Sequence, residues 1–291
     1  MDSGQEDLVM PGQFSSAPVP EGRIEKLSDG FALAFDRQFD YPAAHIWDIL
    51  TNPEKISLWL GQVNPEWQLG KEYTLDMDGG TSSGTVLQLE PRSSLQITWE
   101  DQLGSDSVLE WQVLESSGGA LLLFRSRTDT PDFLAEGSAG WQGILDAFAH
   151  VAAGTEPQPD SMEQWLTLRD AYAKDFDISP TMGLVTGSGR DAELVFERWY
   201  RAPSEDVEAA ADAASRRLNL GAEARMEMAD DGDETRLTLH QPVTGSQDQT
   251  AALLAAWHVT LDAVRDQLDG SMPHPNSHRL AALEQFYRSM V

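Results

Sequence analysis

Residues 95–127 read LQITWEDQLGSDSVLEWQVLESSGGALLLFRSR, and this stretch decides the fold. Apolar and polar side chains alternate along it, first over residues 95–99 (LQITW) and again over residues 109–113 (LEWQV). A period of two is typical of a strand with one buried face. Polar turns at residues 104–106 (GSD) and 117–119 (SGG) separate the runs. The stretch therefore predicts an antiparallel meander with one covered face.

The preceding residues extend this pattern toward the N-terminus. Residues 31–39 (FALAFDRQF) alternate and predict a strand, and residues 73–77 (YTLDM) predict another. Between them, Pro42 opens a helix over residues 43–50, and Asn52-Pro53 caps a second helix that runs to about Leu60. The order is thus a strand, two short helices and then the meander.

A long amphipathic segment follows the meander and is predicted to cover its apolar face. The period changes to 3.6 over about residues 131–153, and Gly154 ends the predicted helix. Its apolar positions are Trp141, Ile144, Leu145, Phe148 and Val151. The predicted fold is therefore α+β, with a curved antiparallel sheet wrapped around a long C-terminal helix.

The second half of the chain repeats the ends of this pattern. Residues 33–42 align with residues 194–203 at an offset of 161, and residues 121–154 align without a gap with residues 237–270 at an offset of 116. The difference of 45 residues corresponds to about four strands of roughly ten residues each. We therefore predict a tandem duplication whose second copy keeps a strand, a helix, a hairpin turning near residues 231–233 and a long helix.

These sequence patterns divide the chain into five predicted segments. Residues 1–25 are a flexible acidic arm, and residues 26–154 a complete domain. Residues 155–189 are a linker with a bridging helix, in which Ser161 and Gln164 form a capping box. Residues 190–270 are the abbreviated domain, and residues 271–291 a C-terminal link and helix.

Composition excludes several classes of function. The 48 acidic and 20 basic side chains give a net charge of −28, spread over both halves, and such a surface repels nucleic acid and anionic membranes. The chain has no cysteine, which removes disulfides and thiolate chemistry. Without a signal-peptide pattern or an 18-residue apolar run, we expect a cytoplasmic protein.

The ordered landmarks resemble a known family. They include Phe35-Asp36-Arg37, Thr51-Asn52-Pro53-Glu54, residues 84–91 (GTVLQLEP), residues 95–101 (LQITWED) and residues 140–146 (GWQGILD). Together they resemble the activator of heat-shock-protein-90 ATPase homologue-like branch of the SRPBCC superfamily, which comprises START-like, birch-allergen-type helix-grip proteins. The resemblance covers residues 23–154 well and residues 190–270 only in part. It implies a helix-grip fold with a cavity between the sheet and the long helix.

Eight side chains are the candidate lining of that cavity. They are Trp59, Tyr73, Trp99, Trp111, Phe124, Trp141, Leu145 and Phe148. The alternative is that these rings fill the core, because each tryptophan contributes roughly 150–250 Å² of buried surface. The sequence alone leaves both possibilities open, a ligand cavity and a core filled by these rings.

No pattern of catalytic or metal-ligating residues stands out. The six histidines are scattered, no HExxH or Gly-x-Ser-x-Gly motif occurs, and we predict no catalytic residue, metal or cofactor. Asp146 and His150 form an i, i+4 pair that we place toward the cavity rim. The function predicted is non-catalytic binding of a small hydrophobic or aromatic ligand. The alternatives are a protein-interaction or co-chaperone-like role with a filled cavity, and an enzyme of the polyketide cyclase/aromatase type.

Overall fold

Two β-sheets, each backed by a long helix, organise the chain. The computed structural model describes residues 18–77, 80–100, 106–217, 220, 223–270 and 277–291. We call residues 18–178, which share one hydrophobic core, the N-terminal unit, and residues 179–291, which share a second, the C-terminal unit.

The N-terminal unit has the predicted α+β helix-grip fold. Its eight strands are antiparallel and lie in the order β1-β2-β8-β7-β6-β5-β4-β3. The strands are β1 (Arg23–Leu27), β2 (Gly30–Phe39), β3 (Gln62–Asn64), β4 (Glu72–Met77), β5 (Gly80–Glu90), β6 (Ser94–Glu100), β7 (Asp106–Ser116) and β8 (Gly119–Thr128).

The inward face of this sheet is the apolar face that the alternation predicts. Leu95, Ile97 and Trp99 of β6 are buried, while Gln96 and Thr98 between them are partly exposed. The same alternation holds in β7, where the buried side chains are Leu109, Trp111 and Val113. Because side chains on a strand alternate between its two faces, one face of the meander packs inward and the other meets solvent.

Two short helices follow β2 where the sequence predicts them. They are α1 (Ala43–Thr51) and α2 (Pro53–Ile56), and the Asn52 side chain caps α2 by accepting a hydrogen bond from Glu54 N at 3.1 Å. Helix α2 ends four residues before the predicted end at Leu60. The chain turns there, and Trp59 is fixed by its indole Nε1, which donates to Ile49 O at 3.1 Å.

The long helix α3 (Leu134–Ala152) lies across the inward face of the sheet. It begins three residues later than predicted because Phe133 has a left-handed backbone conformation, with φ of 58°. Its side chains Trp141, Leu145 and Phe148 pack into the N-terminal core. Gly154, which has φ of 70°, follows its C-terminal end as predicted.

Helix α4 (Met162–Phe176) has the predicted capping box at Ser161, and it packs into the N-terminal core while its Trp165 also contacts the C-terminal core. Leu168 is 3% exposed and Tyr172 is fully buried. The Tyr172 hydroxyl donates to Gln142 Oε1 of α3 at 2.5 Å. The division of the chain at a linker of residues 155–189 stays a prediction.

The predicted acidic arm also ends earlier than expected. Residues 1–17 lie outside the described part of the chain, but residues 23–25 belong to β1, an edge strand in which Arg23 pairs with Ala34. The backbone N–H of Gly22 donates to the Tyr172 hydroxyl at 2.8 Å. A short polar edge strand has little apolar periodicity, so the sequence pattern does not reveal it.

The C-terminal unit contains a smaller, four-stranded sheet in the order β11-β12-β10-β9. The strand, helix, hairpin and long helix predicted for this region are all present, and the hairpin turns at Gly232, which has φ of 67°. The elements are β9 (Leu184–Thr186), β10 (Glu193–Tyr200), α5 (Ser204–Arg217), β11 (Arg225–Asp231), β12 (Glu234–Pro242), α6 (Gln247–Leu268) and α7 (Ser277–Met290).

Strand order and pairing in the small sheet correspond to those of β1, β2, β7 and β8. The gapless alignment is nevertheless one residue out of register in the strand. Phe35 pairs with Phe124, whereas the matching Phe196 pairs with Leu239 and not with His240. A one-residue slip would turn every side chain of β12 to the opposite face. That the two units are tandem copies stays a prediction.

Candidate functional site

A cavity of about 1290 Å³ runs along α3, and we call it the α3 cavity. Its inner wall consists of side chains from the sheet, including Leu33, Ser126 and Thr128, together with α3 itself. Its far end is open to solvent, because His150 and Asp160, which line it, are exposed.

Three of the eight predicted lining residues face this cavity. They are Trp59, Trp99 and Trp141, and each is between 6% and 8% exposed. The rings of Trp99 and Trp141 lie 5.6 Å apart in an edge-on arrangement. These indoles offer a flat apolar surface at the inner wall, the kind of lining that organic ligands meet in protein pockets.

The other five predicted lining residues lie in the packed core and not on the cavity wall. Phe148 packs edge-on to Trp59 at 4.9 Å, and Phe124 lies 4.5 Å from Trp141. All five are at most 2% exposed: Tyr73, Trp111, Phe124, Leu145 and Phe148. Large rings in contact fill the space directly between sheet and helix. The cavity is therefore displaced along the side of α3, and these five side chains do not line it.

One of these core residues has an unsatisfied polar atom. Trp111 is 1% exposed, and its indole Nε1 has no hydrogen-bond acceptor among the described residues. Its ring lies 6.4 Å from that of Trp141 on the cavity wall. A buried donor without a partner destabilises the fold by about 1–3 kcal/mol.

Glycine forms much of the wall that α3 contributes. Gly137, Gly140 and Gly143 all line the cavity, and a Cβ atom added at Gly140 would meet no heavy atom within 4 Å. A glycine inside a helix destabilises it by about 1 kcal/mol relative to alanine. Three glycines spaced three residues apart in a predicted helix are a sequence signal for this wall, and the apolar periodicity of the helix does not reveal it.

The outer wall comes from elements that are distant in the sequence. Pro157 and Pro159 of the α3–α4 connection and Trp165 of α4 cover one side. Phe286 and Met290 of α7 extend the wall into the C-terminal unit. No local pattern marks these residues, because only the tertiary fold brings them to α3.

The polar lining of the cavity is acidic. Asp132, Glu136, Asp146 and Asp160 line it, and no described lining residue is lysine or arginine. Asp132 pairs with two arginines, and two of the other carboxylates also have close partners. Glu136 Oε1 accepts from the backbone N–H groups of residues 181 and 182 at 2.7 and 2.8 Å, and Asp146 Oδ1 accepts from Arg37 at 2.5 Å.

The i, i+4 pair Asp146 and His150 lies on the cavity rim, as the sequence suggests. The two side chains have different partners, however. His150 Nδ1 contacts Thr155 Oγ1 at 2.9 Å, whereas Asp146 contacts Arg37. The two side chains are therefore not hydrogen-bonded to each other.

A buried ion-pair cluster lies where the two units meet. We call it the junction cluster, and it comprises Asp132, His258, Asp262, Arg265 and Arg279. Arg265 donates to Asp132 at 2.7 Å, and Arg279 donates to Asp132 at 2.5 Å and to Asp262 at 3.2 Å. His258 packs against the ring of Phe133 at 5.0 Å. Burial lowers the pKa of His258 well below its usual value, and the nearby Arg198 adds to the shift.

The junction cluster also contains a metal-like donor set. Ligand atoms of Asp132, His258 and Asp262 all lie within 4.8 Å of one another. Both carboxylates already pair with guanidinium groups, so a divalent cation would lie close to the positive charges of Arg265 and Arg279. The electrostatics favour a structural junction between the units over a metal centre.

With this geometry in place, comparison with known proteins finds a family match within the N-terminal unit. Residues 40–153 match the family described as Activator of Hsp90 ATPase homolog 1-like protein. The match begins at the end of β2 and ends just after α3. We refer to residues 40–153, which are similar to this family, as the activator-like domain.

Several solved structures resemble parts of the chain. CalU16 from Micromonospora echinospora is 23% identical, covers 52% of this chain and 92% of its own, and has a TM-score of 0.45. DynU16, from the dynemicin biosynthetic locus, is 13% identical, covers 83% and 100%, and has a TM-score of 0.43. EF2215 from Enterococcus faecalis is 14% identical, covers 54% and 91%, and has a TM-score of 0.45.

No curated protein matches the chain. Among the described helices, including the long α3 beside the cavity, none is long and apolar enough to cross a membrane.

Proposed function

We propose that the protein binds a small hydrophobic ligand in the α3 cavity and that it does so without catalysis. The observation that carries the proposal is the unfilled volume of about 1290 Å³ beside a core that is otherwise closely packed. Ligand pockets typically occupy about 300–1000 Å³ and combine apolar walls with a few polar groups. Six aromatic side chains line this cavity: Trp59, Trp99, Phe133, Trp141, Trp165 and Phe286.

The charges of the lining support an uncharged ligand. An anionic ligand would find carboxylates in the described wall and no lysine or arginine to pair with them. The net charge of −28 would repel it further as it approached. Uncharged polycyclic or aromatic molecules meet neither obstacle.

The partners of the acidic residues support binding rather than turnover. Glu136 and Asp146 are engaged by backbone N–H groups and by Arg37, respectively. A general acid or base must be available to the substrate. The polyketide cyclase alternative would gain support if the protein turned over a poly-β-keto substrate and a variant of a lining residue did not.

Thermal-shift measurements on the full chain test this proposal. A panel of uncharged lipids, sterols and aromatic polyketides should contain compounds that raise the melting temperature by several degrees, since ligand at 100 times its Kd stabilises by about 2.7 kcal/mol. Gly140→Leu places a side chain in the cavity and should abolish the shift.

Ala209→Leu provides the matched control, because Ala209 is an exposed residue of α5, outside the cavity. This variant should respond to the same compounds as the wild type does. The proposal fails if no compound shifts the wild type, or if Gly140→Leu responds as strongly as Ala209→Leu.

A further inference from the structure

We infer that the C-terminal unit serves as a wall of the N-terminal unit's ligand site, with Phe286, Met290 and Met182 as additional ligand-contacting residues. The inference rests on the proposed binding function and specifies which residues surround the ligand. All three residues line the α3 cavity although they lie outside the activator-like domain.

Hydrogen bonds donated to α3 position the part of the wall that contains Met182. Glu136, in the first turn of α3, is 5% exposed and accepts from the backbone N–H of Met182 at 2.8 Å. A buried carboxylate that accepts two backbone N–H groups holds that segment firmly. Met182 therefore lies at a fixed place on the wall rather than in a mobile loop.

Ring packing and ion pairs position α7 in the same way. Phe286 packs edge-on against Phe133 at 5.6 Å, and Phe133 in turn stacks on His258 of α6. Asp132, the residue before Phe133, is paired with Arg265 of α6 and Arg279 of α7. The segment that leads into α3 thus determines both the start of the cavity wall and the docking of the C-terminal unit.

The core of the C-terminal unit is occupied by its own side chains. Trp257 and His258 of α6 and Tyr287 of α7 are fully buried. The Tyr287 hydroxyl contacts His258 Nδ1 at 2.8 Å and accepts from Gly183 N at 2.9 Å. The space beneath α6 is therefore filled by α7, whereas Met290 at the end of the same helix is 38% exposed and faces the α3 cavity.

The test uses Nile red, an uncharged hydrophobic dye, and equilibrium titration of the full-length protein. Phe286→Ala should weaken dye binding about tenfold, and Met290→Gln should weaken it about threefold. Leu280→Ala is the matched control, because Leu280 packs on the C-terminal core and does not line the cavity. It should change the Kd less than twofold.

A second measurement needs no cavity substitution. In the ¹³C-methyl spectrum of the wild type, dye should shift the signals of Met182 and Met290. The signals of Met226 and Met228, which pack on the C-terminal core and are absent from the cavity wall, should stay in place.

The outcomes distinguish the proposed binding function from the inference that the C-terminal unit forms a wall of the ligand site. If wild-type protein does not bind the dye, the proposed function and this inference both fail. If it binds with unchanged affinity in Phe286→Ala and Met290→Gln, and neither Met182 nor Met290 shifts, ligand binding stands and the C-terminal wall is refuted. Circular dichroism on each variant confirms that it is folded before its affinity is compared.

Discussion

Arg265 of α6 donates from Nη1 to Asp132 Oδ1 over 2.7 Å, and Asp132 lies two residues before α3 begins. The Asp132 side chain is only 5% exposed, and Arg279 of α7 also binds it. One carboxylate therefore joins the two long C-terminal helices to the helix that forms the cavity wall.

Asp132→Asn should destabilise the protein strongly. Removing one member of a buried ion pair costs about 3–5 kcal/mol, because the remaining charges stay buried without compensation. Urea unfolding measures the change. Asp248→Asn is the control, because Asp248 pairs with Arg288 but is 75% exposed, and it should cost less than about 1 kcal/mol. If both variants lost the same free energy of unfolding, Asp132 would contribute no more to stability than an exposed ion pair does.

Gly140→Ala should stabilise the protein while leaving less room for ligand. Alanine at this helical position gains about 1 kcal/mol, since the added Cβ meets no heavy atom within 4 Å. Gly84→Ala provides the contrast, because its Cβ would lie 2.0 Å from Thr98 O and should destabilise by about 1–3 kcal/mol. Thermal unfolding of the ligand-free proteins measures both. A destabilised Gly140→Ala would mean that the space at this position is not empty.

The stability of the protein should fall as the pH drops below about 6.5. Burial, reinforced by Arg198, lowers the pKa of His258 in the folded state, whereas the unfolded chain takes up a proton near pH 6.5. The unfolded state then binds more protons than the folded state, so the free energy of unfolding decreases by up to about 1.4 kcal/mol per pH unit.

His258→Gln isolates this contribution, because every other titrating group is unchanged. Urea unfolding between pH 7 and pH 5.5 should show a smaller decrease in the variant than in the wild type. An identical pH dependence in the two proteins would exclude His258 as its source.

Tyr172→Phe should loosen the attachment of α4 and β1 to α3. The substitution removes the acceptor of the Gly22 N–H at 2.8 Å and the donor to Gln142 at 2.5 Å, which should cost about 1–3 kcal/mol. Tyr41→Phe is the control, because the described residues give the Tyr41 hydroxyl no hydrogen bond. Thermal unfolding should show a lower melting temperature for Tyr172→Phe alone, and equal melting temperatures would contradict the assigned role.

The sequence predicts the fold well where periodicity is strong. The meander, α3 and the C-terminal hairpin and helix all depend on which face of an element is apolar, and the pattern of residues 95–113 shows that directly. The sequence predicts the fold less well where the register of a strand depends on hydrogen bonds to its partner strand. The register of β12 depends on its hydrogen bonds to β10, and a count along the chain misplaces it by one residue.

The cavity is predicted only in part for a related reason. Alternation shows that Trp111 and Phe124 face inward, but not whether another ring already fills the space beside them. Phe286 and Met290 are more than 130 residues from Trp141 in sequence. The junction cluster and the packing of Phe286 against Phe133 bring α7 to α3, and no local sequence pattern shows these contacts. Trp59, Trp99 and Trp141, in contrast, lie on the inner wall where the predicted fold alone places them.

A crystal structure of the protein grown with Nile red tests the central claim most directly. The account predicts electron density for the dye inside the α3 cavity, in contact with Trp99 and Trp141 on one side and Phe286 on the other. A cavity closed by side chains, or dye bound only elsewhere on the protein, would contradict it.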